Sequence, residues 1–292
     1  CELYINGTQV ATGRMDAVFN ESVHLNAQQK QLLHEGRNVM ALHVYNNAGG
    51  AYADFGLYAN IGIEATSVKT AVQKSVDVMA TSTYYTFTCG PVALDVVFTS
   101  PMLIDDLDLL STPVSYVSYQ VKSLDRKKHD VQFALLASPQ IATNKPHQPT
   151  ESTVVSVNGV KYLKTGTIDQ PILAKKGDGI GIDWGYLYVA DFNGKVSLDS
   201  YNNIINGFMA KGDLNCGQQL VRAYKQNDTP VLAYVHNFGK VDQQPQASFS
   251  LIGYDEVEDI EYMYQRYKAY WAHGGKVDIF DAFNKLNRNY NL

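Results

Sequence analysis

The sequence predicts a predominantly all-β chain: a large antiparallel β-sandwich, preceded by a partial β jelly-roll segment and followed by short α-helices at the C-terminus. Three observations predict it. Runs of alternating apolar and polar residues recur up to about residue 254, among them Val114 to Val121, Val131 to Ala137, Trp184 to Ala190 and Val231 to Val235. Three Asn-Gly pairs, Asn6-Gly7, Asn158-Gly159 and Asn193-Gly194, fall between such runs and supply the positive φ angles of tight hairpins. Apolar helical stripes of ten or more residues do not alternate with these runs, which disfavours a parallel sheet with crossover helices.

Residues 1–65 open in mid-strand at Tyr4-Ile5-Asn6-Gly7, and Asn38 to Tyr45 closes a short β unit. A complete small sandwich needs about a hundred residues, so this segment reads as part of one. Asn60 to Thr70 is a connector, with a boundary near residue 65, and residues 66–258 form the main sandwich. Beyond Tyr254 the spacing changes. Ile260, Met263, Tyr264, Tyr267 and Trp271 recur at helical intervals between the acidic start Asp255-Glu256 and a Gly274-Gly275 stop, predicting an amphipathic helix. Asp278 then caps a second helix whose Ile279, Ala282, Phe283 and Leu286 share one face. That face either packs back on the β region or meets a further helical domain, and residues 259–292 read as a helical linker.

The bulk numbers exclude several classes. The 292 residues, 45% hydrophobic and 18% charged, suffice for one large or two medium cores. No apolar run reaches membrane-spanning length, and no leader-like segment opens the chain. A net charge of −5 with scattered Lys and Arg gives no footprint for phosphate backbones, so nucleic acid is not an expected partner. Cys1, Cys89 and Cys216 make neither a disulfide framework nor a CxxC site; Cys89 and Cys216 either pair or are buried free thiols. Twenty tyrosines against two tryptophans suit half-buried strands first and wet recognition surfaces second.

Few patterns carry chemistry. Asp105, Asp106 and Asp108 crowd three carboxylates into four positions, enough to hold a cation or to form an acid–base pair. The calcium-loop spacing is missing, however, and capping of nearby backbone N–H groups is the favoured role. On a strand, Asp106 and Asp108 share one face. Asp183 precedes an aromatic row, Trp184, Tyr186 and Tyr188, on one side of a strand. Such a row can stack on sugar rings or a partner helix; the favoured alternative buries it under one layer while Leu187 and Val189 face another core. The seven histidines lack HxxxH or HExxH spacing, so no metal or cofactor is expected, and His43, within a strand, reads as a satisfied core or interface histidine. Gly177 to Gly181 lacks the ending of a phosphate loop, and its Asp178-Gly179 pair reads as a turn. No nucleophile elbow occurs, and no cysteine has a histidine nearby in sequence.

Six islands in order resemble the glutaminase A family over roughly residues 68–285. They are Thr83 to Phe87; Ser100-Pro101 through Asp106 to Leu110; Pro113 to Tyr116; His129 to Gln132; Asp183 to Tyr188; and Tyr270-Trp271-Ala272. Residues 1–60, with Asn38 to Val44 and Gly49 to Gly56, resemble the end of a galactose-binding-like jelly roll attached to carbohydrate-active enzymes. The first resemblance implies a large secreted or periplasmic protein in which such a sandwich precedes an (α/α) barrel holding the active site. It implies a C-terminal (α/α) helical domain of the same parent as partner, catalytic groups beyond residue 292, and no catalytic residue that can be carried onto this chain. Asp106, Asp108, Asp183, Trp184, Tyr186, Tyr188 and Trp271 are the ligand-binding or domain-interface candidates. The alternative is a carbohydrate-binding or accessory module of a glycoside hydrolase, with a small-molecule or glycan ligand on the Trp184 row.

Overall fold

The computed structural model describes residues 1–13, 23–46, 57, 69–145, 148–176, 181–212, 214, 217–223 and 230–290. The chain divides into two units, Cys1–Gly62 and Ile63–Leu292.

In the first unit, β1 (Glu2–Ile5) lies between β2 (Thr8–Thr12) and β3 (Met40–His43) in an antiparallel sheet. Asn6 and Gly7 turn the β1–β2 hairpin with φ of 47° and 83°, as the Asn-Gly pair predicts. The Asn6 amide also stitches the unit, donating to the Leu32 carbonyl at 2.7 Å and to Asn38 at 2.8 Å. A capping box between Asn26 and Gln29 starts the short helix α1 (Ala27–Lys30). His43 is neither core nor satisfied by a core partner: it is exposed and pairs with Glu2 at 3.1 Å. Gly49 to Gly56 and most of the connector lie outside the described residues.

The second unit is the predicted sandwich. Its strands are β4 (Val72–Val78), β5 (Ser82–Cys89), β6 (Val92–Thr99), β7 (Val114–Ser123), β8 (His129–Ala137), β9 (Thr150–Val157), β10 (Val160–Thr167), β11 (Tyr186–Ala190), β12 (Lys195–Ser200), β13 (Leu220–Ala223), β14 (Pro230–Val241) and β15 (Gln246–Asp255). Nine form one antiparallel sheet in the order β13-β9-β10-β11-β15-β7-β6-β5-β4, and three form a second, β12-β14-β8. Helix α2 (Leu107–Ser111) bridges β6 and β7, α3 (Tyr201–Lys211) follows β12, and α4 (Ile279–Arg288) comes last.

Strand alternation sorts side chains between layers. On β14, Leu232 and Tyr234 face Leu163, Leu187 and Val189 of the large sheet, while Val231, Ala233 and Val235 face Ile204 and Phe208 of α3. On β7, Val117 and Tyr119 join the intersheet core, and Val114 and Tyr116 join the core under α4. Four layers result: α3, the small sheet, the large sheet and α4. Asp278 caps α4 as predicted, and the stripe Ile279, Ala282, Phe283 and Leu286 packs back on the β region.

Three expectations need correction. Asn158-Gly159 turns a hairpin with φ of 51° and 82°, but neither Asn193 nor Gly194 has a positive φ. That pair instead carries the chain from β11 in one sheet to β12 in the other, held by the Asn193 amide donating to Asp191 at 2.8 Å. The helix expected over 260–271 is a hairpin, β16 (Ile260–Tyr262) paired with β17 (Gln265–Tyr267), then a 3₁₀ turn at Tyr270–Ala272. Met263 and Tyr264 turn its tip with φ of 48° and 65°, outside the right-handed helical region, and of the residues that mimicked a stripe Ile260, Met263, Tyr264 and Tyr267 are exposed while Trp271 alone is buried. Finally, α3 is an eleven-residue helix among the strands where none was expected, capped by Ser200 and ended by Gly212 at φ 61°. Cys89 is a free, half-buried thiol, whereas Cys216 and the Asp178-Gly179 turn lie outside the described residues.

Phe283 is fully buried under α4 and Arg288 on the same helix is exposed. In urea unfolding, Phe283→Ala should cost about 3–5 kcal/mol, and Arg288→Ala should stay within about 0.5 kcal/mol.

Candidate functional site

The chain reaches β11 through Asp183, Trp184 and Gly185, and the loop after β15 presses against this entry. Gly185 has φ 87°, and a Cβ there would lie 2.6 Å from the Asp255 carbonyl, so only glycine lets the two segments meet. The Gln170 side chain holds it from the other side, accepting from the Gly185 amide at 2.7 Å and donating to its carbonyl at 3.0 Å. Asp183 is buried, and its carboxylate accepts from the Lys175 ammonium at 2.6 Å. Trp184 is buried too. Its indole N–H donates to the Glu258 carbonyl at 3.0 Å, and the Tyr254 hydroxyl donates to its carbonyl at 2.5 Å.

The aromatic row splits in depth. Tyr188 is buried, with Phe280 of α4 edge-on to it at 5.6 Å, and burial pushes its hydroxyl well above the usual tyrosine range. Tyr186 is half-buried, with the Lys164 ammonium 3.6 Å above its ring centroid, a cation–π contact. Burial lowers Lys164 from the ordinary lysine value, while Glu151 and Asp255 oppose the shift. Leu187 and Val189 face the intersheet core, so β11 is packed on both sides and only Tyr186 of the row keeps part of its ring accessible.

The other candidates form a separate group. Asp106 caps α2, its carboxylate accepting from the Leu109 amide at 2.9 Å; the segment is helix rather than strand, so Asp106 and Asp108 do not share a strand face. Asp108 is half-buried and pairs with His273 at 3.1 Å. Trp271 lies two residues before His273, buried in the core under α4. The structure therefore brings Asp183, Trp184, Tyr186 and Tyr188 together at the start of β11, and Asp108 beside the Trp271 turn.

Two groups were not singled out from the sequence. Asp191, buried between the sheets, accepts from Tyr119 at 2.7 Å and Ser250 at 2.9 Å. Nothing local in the sequence distinguishes it, because its buried side-chain partners are 72 and 59 residues away. Glu256 lies against Gly185 on the loop after β15, and burial first, then the neighbouring Asp259 and Asp255 carboxyls, push its own carboxyl up to about 7. The run Asp255, Glu256, Glu258, Asp259 was a visible signal, but it reads equally as the acidic start of a helix. Elsewhere, a cavity of about 410 Å³ between β12 and α3 is lined by Asp199, Asn203 and Lys211 among others, and by none of the sequence candidates. Among the described residues, no three His, Cys, Asp or Glu side chains converge to hold a metal ion.

Residues 81–292 match the family described as Domain of unknown function (DUF5127). The chain belongs to this family. It is also 29% identical over 221 residues to Glutaminase A of Aspergillus oryzae, an alignment that covers 74% of this chain and 31% of that protein. The chain thus spans about a third of the curated relative's length. A solved protein from the human microbiome, described as a candidate kojibiose phosphorylase, aligns at 10% identity with a TM-score of 0.33, covering 72% of this chain and 21% of its own.

The depth difference along the row is measurable. Tyr188→Ala should lower unfolding stability by about 3–5 kcal/mol, and Tyr186→Ala by about 1 kcal/mol or less, both by urea titration.

Proposed function

We propose that this chain is the non-catalytic β-sandwich part of a glutaminase-like amidohydrolase exported from the cell, and that it supports a helical catalytic domain elsewhere in the same polypeptide. The observation that carries this reading is the 29% identity to Glutaminase A over 221 residues, 74% of this chain and 31% of that relative. The buried state of Trp184 and Tyr188 supports a structural use of β11 over a sugar-stacking one.

The β16–β17 hairpin is our candidate for the surface that meets the helical domain. Ile260 pairs with Tyr267 and Tyr262 with Gln265, so these four share one face; Glu261 and Arg266 pair on the other at 3.5 Å. The first face and the tip residues Met263 and Tyr264 are exposed, Tyr264 at 96%. A two-stranded hairpin is marginal by itself in water, and an uncovered apolar face on one is the kind of surface that a second domain buries.

The full-length polypeptide should release ammonia from L-glutamine while this chain alone does not; a full-length protein inert toward glutamine and γ-glutamyl compounds would remove the assignment. Replacing Tyr262 and Tyr264 by Ser should leave the melting midpoint of this chain within about 2 °C, because both are exposed. The same replacements should lower glutamine turnover or the midpoint of the full-length protein.

A further inference from the structure

The two sheets of the second unit are unequal, nine strands against three. The small sheet ends at β8, whose Phe133 stacks on Tyr119 of β7 at 3.9 Å. Strands β6, β5 and β4 carry the large sheet past that point, and among the described residues β4 has no neighbour on its outer side. Register sorts their side chains. Val76 pairs with Tyr85 and Tyr85 with Val96; Val78 pairs with Thr83 and Thr83 with Phe98; Phe98 pairs with Val117, which lies in the intersheet core. Val76, Val78, Tyr85, Phe87 and Phe98 therefore continue the core-facing side of the large sheet. Tyr85 meets Phe98 edge-on at 6.0 Å and stacks with Phe87 at 6.1 Å, yet Val76 is 48%, Val78 71% and Phe98 46% exposed.

The opposite side of the same strands carries Ser75, Asp77, Thr86 and Asp95. Such alternation belongs to strands with one side in water and the other under a second layer. Strand β8 shows where that layer attaches. Its outer edge is unpaired among the described residues, and from Val131 to Ala137 it carries neither the charge nor the proline that blunts a solvent edge. An apolar face that begins beside an open hydrogen-bonding edge is filled by strands, which satisfy both at once.

We propose that the missing layer is a second copy of this chain, related by a two-fold axis through the β4–β6 face. The β4–β6 segment itself has the required properties: an apolar side of the same extent, a polar back and a free outer edge. Facing two such segments buries both apolar sides in one operation. It also brings the outer edge of β4 in each copy to the outer edge of β8 in the other, so that each small sheet continues into the large sheet of its partner. The contact is isologous and closes at two copies. This inference concerns the chain alone and does not depend on the proposed amidohydrolase role.

In sedimentation velocity at micromolar concentration, this chain should behave as a particle of twice its 32.4 kDa. Amide exchange along β8 and β4 should slow as concentration rises through the dissociation constant. Val78 is mostly exposed in one copy, so Val78→Asp should leave the far-ultraviolet circular dichroism unchanged while placing an unpaired charge in the contact. It should weaken dimerisation by about a hundredfold or more. Tyr84→Ser, on the other side of β5, should leave the dimer as it is. A chain that stays monomeric, a dimer that survives Val78→Asp, or one lost in Tyr84→Ser would each overturn the second copy as the cover. So would a monomeric full-length polypeptide whose β8 amides are already protected, because the covering strand would then come from its own remainder.

Discussion

Tyrosine hydroxyls that reach from one layer to the backbone or a buried carboxylate of the next hold this fold together. Tyr116 on β7 donates to the Leu286 carbonyl of α4 at 2.8 Å, and Tyr234 on β14 donates across the intersheet space to the carbonyls of Lys161 and Val189. Tyr119 stacks on Phe133 at 3.9 Å and delivers its hydroxyl to Asp191. Each such residue supplies apolar area to the core and a directed bond at its far end, which fixes the registry of layers that hydrophobic packing alone would leave free to slide. The abundance of tyrosine over tryptophan acquires a reason here. Tyr162 is the exception, fully buried with a hydroxyl that has no partner among the described residues.

Fixed layers explain what β11 can and cannot do. A strand covered by the small sheet on one side and α4 on the other has no free face, so its aromatic row stabilises rather than displays. Polar groups are left to its entrance, where Asp183, Glu256 and Asp259 gather around Trp184, and to the half-buried Lys164–Tyr186 contact. Apart from Asp191, buried between the sheets, the charged groups near β11 thus sit at the end of the sheet and on the loop after β15.

Much of the fold was legible because its signals were local. Val114 to Val121 and Val131 to Ala137 are rich in β-branched, aromatic and other apolar residues because these strands contribute to cores on both faces, and the Asp278 cap with the Ile279 to Leu286 stripe announced α4. The hairpin at 260–267 was not legible. Its tip uses Met263 and Tyr264 at positive φ instead of Asn or Gly, so the turn signal was absent while apolar spacing imitated a helix. Helix α3 begins Tyr201-Asn202-Asn203 and carries Gly207, a composition that gives little helical signal; packing on β14 supplies what propensity lacks. Of the site residues, neighbours along β11 were readable by alternation. The Lys175, Glu258 and Asp108–His273 partnerships were not, because each depends on how loops return in space.

The order of the large sheet carries a consequence for how the chain is made. Strand β15 lies between β11 and β7, so a strand completed only at Asp255 joins two halves formed from earlier sequence. During synthesis, the meander β4 to β7 and the group β9 to β11 each expose an unpaired edge until β15 emerges and fills the gap. Pairing across such separations is slow, and open edges are sites of intermolecular association. The interval before residue 255 leaves the ribosome is thus when this protein most needs a chaperone.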